Sequence, residues 1–158
     1  MFIANNIVEV IQLMLAPGLM ISACGLLLLG MNNKYSLVVN RIRLLNDEKR
    51  KLVDRSEESD TTLSDNVRLE SISKQIEKLV YRVKLVKRAV QNYTIAVALF
   101  ILTSILIGIS YLFKMDNFQY LITIIFLLGM LLVLAGAVFA AYETKKGYEI
   151  INLEVDAE

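Results

Sequence analysis

Residues 89–113 read AVQNYTIAVALFILTSILIGISYLF and contain no charged side chain. A helix needs about 20 apolar residues to cross the hydrocarbon core of a bilayer. Two further stretches, 11–33 and 117–142, also lack charged residues and exceed that length. Three such runs in a chain of 158 residues predict an all-α integral membrane protein with three transmembrane helices.

The charged residues concentrate between the first two apolar runs. Residues 34–88 hold 14 Lys/Arg against 9 Asp/Glu. A basic segment can indicate nucleic-acid binding, but this one lies between membrane spans, so topology explains it better and no nucleic-acid partner is expected. The chain is interpreted as one membrane domain, 1–158, with a C-terminal tail at 143–158. Its spans are placed at about 7–33, 90–113 and 118–142.

The segment at 34–89 is predicted to be helical, because apolar residues recur in it at alternating steps of three and four. The first seam extends backwards into span one and the second extends forwards into span two, so each half is predicted to form one continuous helix with its span. The first seam is Cys24, Leu28, Met31, Tyr35, Val38, Ile42, Leu45, Lys49 and Leu52; the second is Leu69, Ile72, Ile76, Leu79, Val83, Val86, Val90, Tyr93 and Val97.

Two long helices joined by the polar turn at 55–62 predict an antiparallel helical hairpin between spans one and two. Two interpretations of its seams stay open. The seams can satisfy each other within one chain, as an intramolecular coiled-coil stalk. Alternatively, copies of the chain associate through the remaining apolar positions, Leu37, Leu44 and Val80, because a two-helix stalk buries little surface alone.

The distribution of basic residues predicts the topology. The side that holds the 34–89 segment and the C-terminus carries 16 of the 17 Lys/Arg, which marks it as cytoplasmic. The N-terminus is therefore expected outside and the C-terminus inside, with the hairpin in the cytoplasm. Tyr35, Tyr93 and Tyr142 are predicted to anchor the inner membrane interface.

Glu9, Gln12 and Pro17 are a candidate ion or pore site near the outer end of span one. Glu9 and Gln12 lie one helical turn apart, and Pro17 cannot donate a hydrogen bond to the Leu13 carbonyl. Polar groups at membrane depth are costly and often functional, and a ring of carboxylates would favour cations. The alternative is that Glu9 is solvated at headgroup level while Pro17 only shapes the helix.

Small residues form candidate packing faces on two spans, where they permit close approach of helices. Gly18, Ser22 and Gly25 fall on one side of span one. Gly129, Gly136 and Ala140 lie on span three.

A basic cluster precedes span two and is predicted to contact anionic lipid headgroups. The same charges also fix the topology, which is the simpler role. The cluster comprises Arg82, Lys84, Lys87 and Arg88.

The segment 17–29, PGLMISACGLLLL, is followed by Asn33 and by NRIRLL at 40–45. These features resemble the N-terminal part of a small bacterial integral-membrane family known only as a domain of unknown function. The resemblance implies the three-span architecture and a bacterial inner-membrane location, but no activity. It also singles out a membrane-interface element, whose simplest role is a hinge with arginines bound to carboxylates or lipid phosphates. Its residues are Asn33, Asn40, Arg41 and Arg43.

Composition argues against most catalytic chemistry. The chain has no His and one Cys, so a His-containing triad is excluded and a zinc or copper site of the usual type is not expected. No catalytic residue, metal or cofactor is predicted, and the chain is expected not to be an enzyme. Two functions remain: a homo-oligomeric membrane protein of structural or accessory type, or an oligomeric cation channel lined by span one.

Overall fold

The computed structural model of the chain describes residues 2–58, 63–113 and 118–155, with side chains described for 8–55, 65–113 and 118–147. These residues form three long helices: α1 (Phe2–Glu58), α2 (Leu63–Phe113) and α3 (Gln119–Val155). The predicted continuity is confirmed, because α1 and α2 each run through both an apolar stretch and a charged stretch. Of the predicted turn at 55–62, residues 59–62 lie outside the described residues.

All three helices are long and apolar enough to cross a membrane. The chain is therefore a multi-pass membrane protein, and its spanning segments contact lipid. Contacts divide the chain into two compact units. We call Met1–Met31 with Arg88–Phe139 the apolar unit, and Asn32–Lys87 with Ala140–Glu158 the charged unit.

The core of the apolar unit forms around Cys24, Ala96 and Phe100, all fully buried. The Phe100 ring packs against the Phe126 ring at a centroid distance of 5.5 Å and an angle of 57°, a tilted geometry that aromatic pairs favour. Many of the unit's large apolar side chains point outward instead, such as Leu26 and Leu112, which are 73% and 76% exposed. A soluble protein would bury such a surface, whereas a lipid-facing surface requires it.

In the apolar unit, two aromatic rings of α2 pack against glycines of α3. A Cβ at Gly136 would lie 2.7 Å from the Tyr93 ring, and one at Gly129 would lie 2.8 Å from the Phe100 ring. Small residues therefore permit close helix packing here, as predicted for this face. Tyr93 is only 1% exposed. Tyr93 is therefore a packed residue, whose ring fills the space that Gly136 leaves, and its role as an interfacial anchor stays a prediction.

The charged unit is held by the two predicted seams, which pack against each other. Its buried cluster consists of Val38, Leu45, Ile72 and Leu79, with Ile42, Leu52, Ile76 and Val83 packed around it. Arg68 on α2 donates to Glu48 on α1 at 2.7 Å. Lys34 lies 14 residues before Glu48 on α1, and Arg82 lies 14 residues after Arg68 on α2. Both pair with the carboxylate of Glu143. The two charged stretches are therefore antiparallel.

The charged unit also contains a helical part of α3. The tail at 143–158 has no predicted structure, and α3 continues into it as a helix as far as Val155. The ion pairs of Glu143 attach this part of α3 to the other two helices.

Candidate functional site

Glu143 is a buried carboxylate that joins all three helices of the charged unit. It is 1% exposed. Arg82 on α2 donates to its Oε1 through Nε at 3.1 Å and Nη2 at 2.7 Å. Lys34 on α1 donates to its Oε2 at 3.1 Å. We call Glu143, Arg82 and Lys34 the three-helix ion cluster.

Neighbouring residues of α3 complete the cluster. The Thr144 hydroxyl accepts a hydrogen bond from Lys34 at 2.8 Å and donates to the Ala140 carbonyl at 3.0 Å. A Cβ at Gly147 would lie 2.8 Å from Arg82 Nη2, so the absence of a side chain at Gly147 leaves space for the guanidinium against α3. The local sequence of α3 therefore positions the carboxylate, fixes the ammonium and accommodates the arginine.

The electrostatics of the cluster favour the ionised carboxylate. Burial opposes ionisation of Glu143, but the hydrogen bonds and positive charges of Arg82 and Lys34 outweigh burial and hold its pKa below the ordinary value. The cluster therefore stabilises the fold at neutral pH and loses that effect only in acid, as the pH falls through the lowered pKa. A carboxylate that stays ionised between two cations is suited to holding helices together rather than to donating protons.

The residues of the predicted basic cluster lie in different environments. Arg82 belongs to the three-helix ion cluster, and its side chain is 23% exposed. Arg88 lies in the apolar unit, with its guanidinium carbon 5.9 Å from the centroid of the Phe139 ring. Lys84 and Lys87 are exposed. Contact of these residues with lipid headgroups stays a prediction.

Of the predicted ion or pore residues, Glu9 lines a cleft of about 950 Å³ in the apolar unit. Its side chain and that of Gln12 are exposed, while Pro17 is buried within α1. Gln12 and Pro17 are absent from the described lining of this cleft, and a shared ion or pore site of the three residues stays a prediction. The other lining residues are Val10, Leu13, Ile107, Ser110, Tyr111, Leu112, Gln119, Ile122 and Thr123.

The four residues of the predicted interface element are exposed on α1: Asn33, Asn40, Arg41 and Arg43. Lys34, which follows Asn33, is not among the predicted site residues, but it is the residue that pairs with Glu143. One signal was available in the sequence. Lys34 is the first charge after the first apolar run, and Glu143 is the first charge after the third.

Among the side chains that the structure describes, no group of three or more His, Cys, Asp or Glu could hold a metal ion. Glu143 accepts from two cations already, and Cys24 is buried in the apolar core. The prediction that the chain carries no cofactor is not tested by this arrangement.

A family profile described as a protein of unknown function, DUF2721, matches residues 14–153. The match covers most of the chain, including 17–45, and confirms the resemblance to a family without an assigned activity. No curated protein and no solved structure matches the chain. The chain belongs to the DUF2721 family.

Proposed function

We propose that this family member is a non-enzymatic, homo-oligomeric membrane protein of structural or accessory type. The three-helix ion cluster supports a non-catalytic role, since its carboxylate is committed to two cations. Association of copies is supported by surfaces on α1 that the described residues of the chain leave uncovered.

The observation that carries the proposal is the small-residue face of α1. Cβ atoms added at Gly18 and Gly25 would meet nothing within 4 Å, and Ser22 between them is exposed. The Ser22 hydroxyl donates to the Gly18 carbonyl at 3.3 Å, so it does not require a partner elsewhere. In a bilayer, such a face allows the backbone of another helix to approach closely.

The glycines of α3 provide the comparison. Gly129 and Gly136 are filled by Phe100 and Tyr93 of the same chain. The same type of surface is thus occupied on α3 and open on α1. A second copy of the chain is the partner that would supply a helix at the same membrane depth.

Exposed apolar residues of the charged unit offer a second surface for association. Leu37 and Leu44 lie two helical turns apart on α1 and are 70% and 63% exposed. Val80 on α2 is 39% exposed. Outside the membrane these side chains would gain free energy from burial against another copy.

The test is the molar mass of the purified protein in lipid nanodiscs, measured with a variant of the open face. Gly25→Leu adds bulk where the chain has space, so each copy should fold normally. We expect its association constant to fall about tenfold, which corresponds to a loss of about 1.4 kcal/mol. Ala23→Leu is the matched control, because Ala23 is exposed on another side of α1. A wild-type monomer, or equal effects of the two variants, would contradict the proposal.

The proposed location is the bacterial inner membrane, with the N-terminus outside and the charged unit in the cytoplasm. The support is that the charged unit contains far more Lys/Arg than the rest of the chain does. Because Cys24 is the only cysteine and is buried, single cysteines can report orientation. In intact spheroplasts, we expect an impermeant maleimide to label Tyr120→Cys, whereas Ser73→Cys should react only after lysis. The opposite labelling pattern would reverse the topology.

A cation channel is the second candidate, favoured by the open cleft that Glu9 lines with Ser110, Tyr111, Gln119 and Thr123. A carboxylate among neutral polar groups would attract cations. Three spans cannot enclose a pore alone, so a ring of four or more copies is required. If the mass measurement gives such a ring, conductance that Glu9→Gln reduces would support this candidate; a monomer or dimer would exclude it.

A further inference from the structure

We propose that a groove of the apolar unit binds one anionic phospholipid, with the headgroup phosphate on Arg88 and an acyl chain along Ile95. This inference goes beyond the proposed function, because it concerns a defined ligand site rather than association of copies. It also differs from general attraction to the membrane surface, since it assigns the lipid to Arg88 and not to the exposed lysines nearby.

The groove has a volume of about 520 Å³ and lies where α2 faces Phe139 of α3. Four of its lining residues share one face of α2 at spacings of three, four and seven: Arg88, Gln91, Asn92 and Ile95. Val90 and Thr94 also line the groove, from another side of the same helix. The volume is sufficient for part of one lipid molecule and too small for a helix, whose diameter is about 10 Å with side chains.

The order of chemistry along the groove matches the order along a phospholipid. The guanidinium of Arg88 stands at the end nearest the charged stretch of α2. The amides of Gln91 and Asn92 follow, and they can donate hydrogen bonds to the glycerol esters of the same lipid. Ile95 lies about 10 Å from Arg88 along the helix axis, where the acyl chains begin.

The guanidinium carbon of Arg88 lies 5.9 Å from the centroid of the Phe139 ring, within the range of a cation–π contact. A guanidinium carries its N–H donors in a planar fork, which matches two phosphate oxygens. The groove lining contains this cation and no carboxylate among its described residues. Charge complementarity therefore favours an anionic headgroup over a zwitterionic one.

Binding can be measured by native mass spectrometry of the delipidated full chain, titrated with phosphatidylglycerol in a mild detergent. We expect Arg88→Gln to weaken binding of the first lipid by about tenfold, the effect of losing a charge-assisted contact to phosphate. Phe139→Leu keeps the charge but removes the ring, and should weaken binding by a smaller factor. Phosphatidylcholine should bind more weakly than phosphatidylglycerol to the wild type.

Lys84→Gln is the matched control, because it removes the same charge from an exposed position outside the groove. It should change binding by less than about twofold, as expected for a screened surface charge. If Arg88→Gln bound lipid as the wild type does, or Lys84→Gln lost as much binding as Arg88→Gln, the site would be wrong. The reactivity of buried Cys24 with a maleimide, unchanged in Arg88→Gln, would establish that this variant is folded.

Discussion

Replacing Glu143 with alanine is expected to destabilise the charged unit by about 2–3 kcal/mol. Removing one partner from a fully buried ion pair costs about 3–5 kcal/mol. The cost should be smaller here because the side chains of Lys34 and Arg82 retain 42% and 23% exposure and can be partly hydrated. Hydrogen exchange of the α3 amides at 140–147 should become about 30- to 150-fold faster, since the lost contact stabilises the helix that protects these amides.

Glu48→Ala provides the control for this prediction. Glu48 also pairs with an arginine across two helices, at 2.7 Å from Arg68, but both side chains are largely exposed. An exposed pair contributes about 0–1 kcal/mol, so exchange near Glu48 should change by less than about fivefold. If Glu143→Ala altered exchange no more than Glu48→Ala does, burial of the three-helix ion cluster would have no energetic consequence.

Substituting alanine for Gly136 should destabilise the apolar unit by about 2 kcal/mol, despite the higher helix propensity of alanine. The added Cβ would lie 2.7 Å from the Tyr93 ring, which is 1% exposed, so the ring or the helix would have to shift within a packed core. Cys24 is in the core of the same unit and is fully buried. Its alkylation by a maleimide in detergent should therefore accelerate about 30-fold in this variant.

Gly30→Ala is the corresponding control in the apolar unit. A Cβ at Gly30 meets nothing within 4 Å, so the substitution adds helix propensity without overpacking. Alkylation of Cys24 should stay at the wild-type rate or become slower. If alkylation of Cys24 accelerated equally in Gly30→Ala and Gly136→Ala, the packing of Tyr93 would not depend on the absence of a side chain at Gly136.

The helices and their contact faces could be predicted because each depends on a repeated pattern. Steps of three and four identified Val38 and Leu45 on one seam and Ile72 and Leu79 on the other, and these four residues form the buried cluster. Such a pattern averages over many residues, so one charged interruption at Lys49 does not hide it. Runs without charge identified the spans for the same reason.

The three-helix ion cluster could not be predicted from pattern alone. It depends on three single residues from three helices, and nothing periodic connects Lys34 with Glu143. Arg82 was grouped with Lys84, Lys87 and Arg88 because sequence proximity suggested a shared role. On a helix, neighbouring residues point in different directions, and Arg82 reaches Glu143 while Arg88 reaches Phe139.

The separation of the cluster's members along the chain sets an order for biogenesis. Lys34 and Glu143 are 109 residues apart, and Arg82 and Glu143 are 61 apart. During translation, α1 and α2 can pair through their apolar seams as soon as α2 has been made. The carboxylate is made only with α3, so Lys34 and Arg82 lack this partner until α3 has been synthesised. The ion cluster therefore forms after the apolar seams of α1 and α2 have become able to pair.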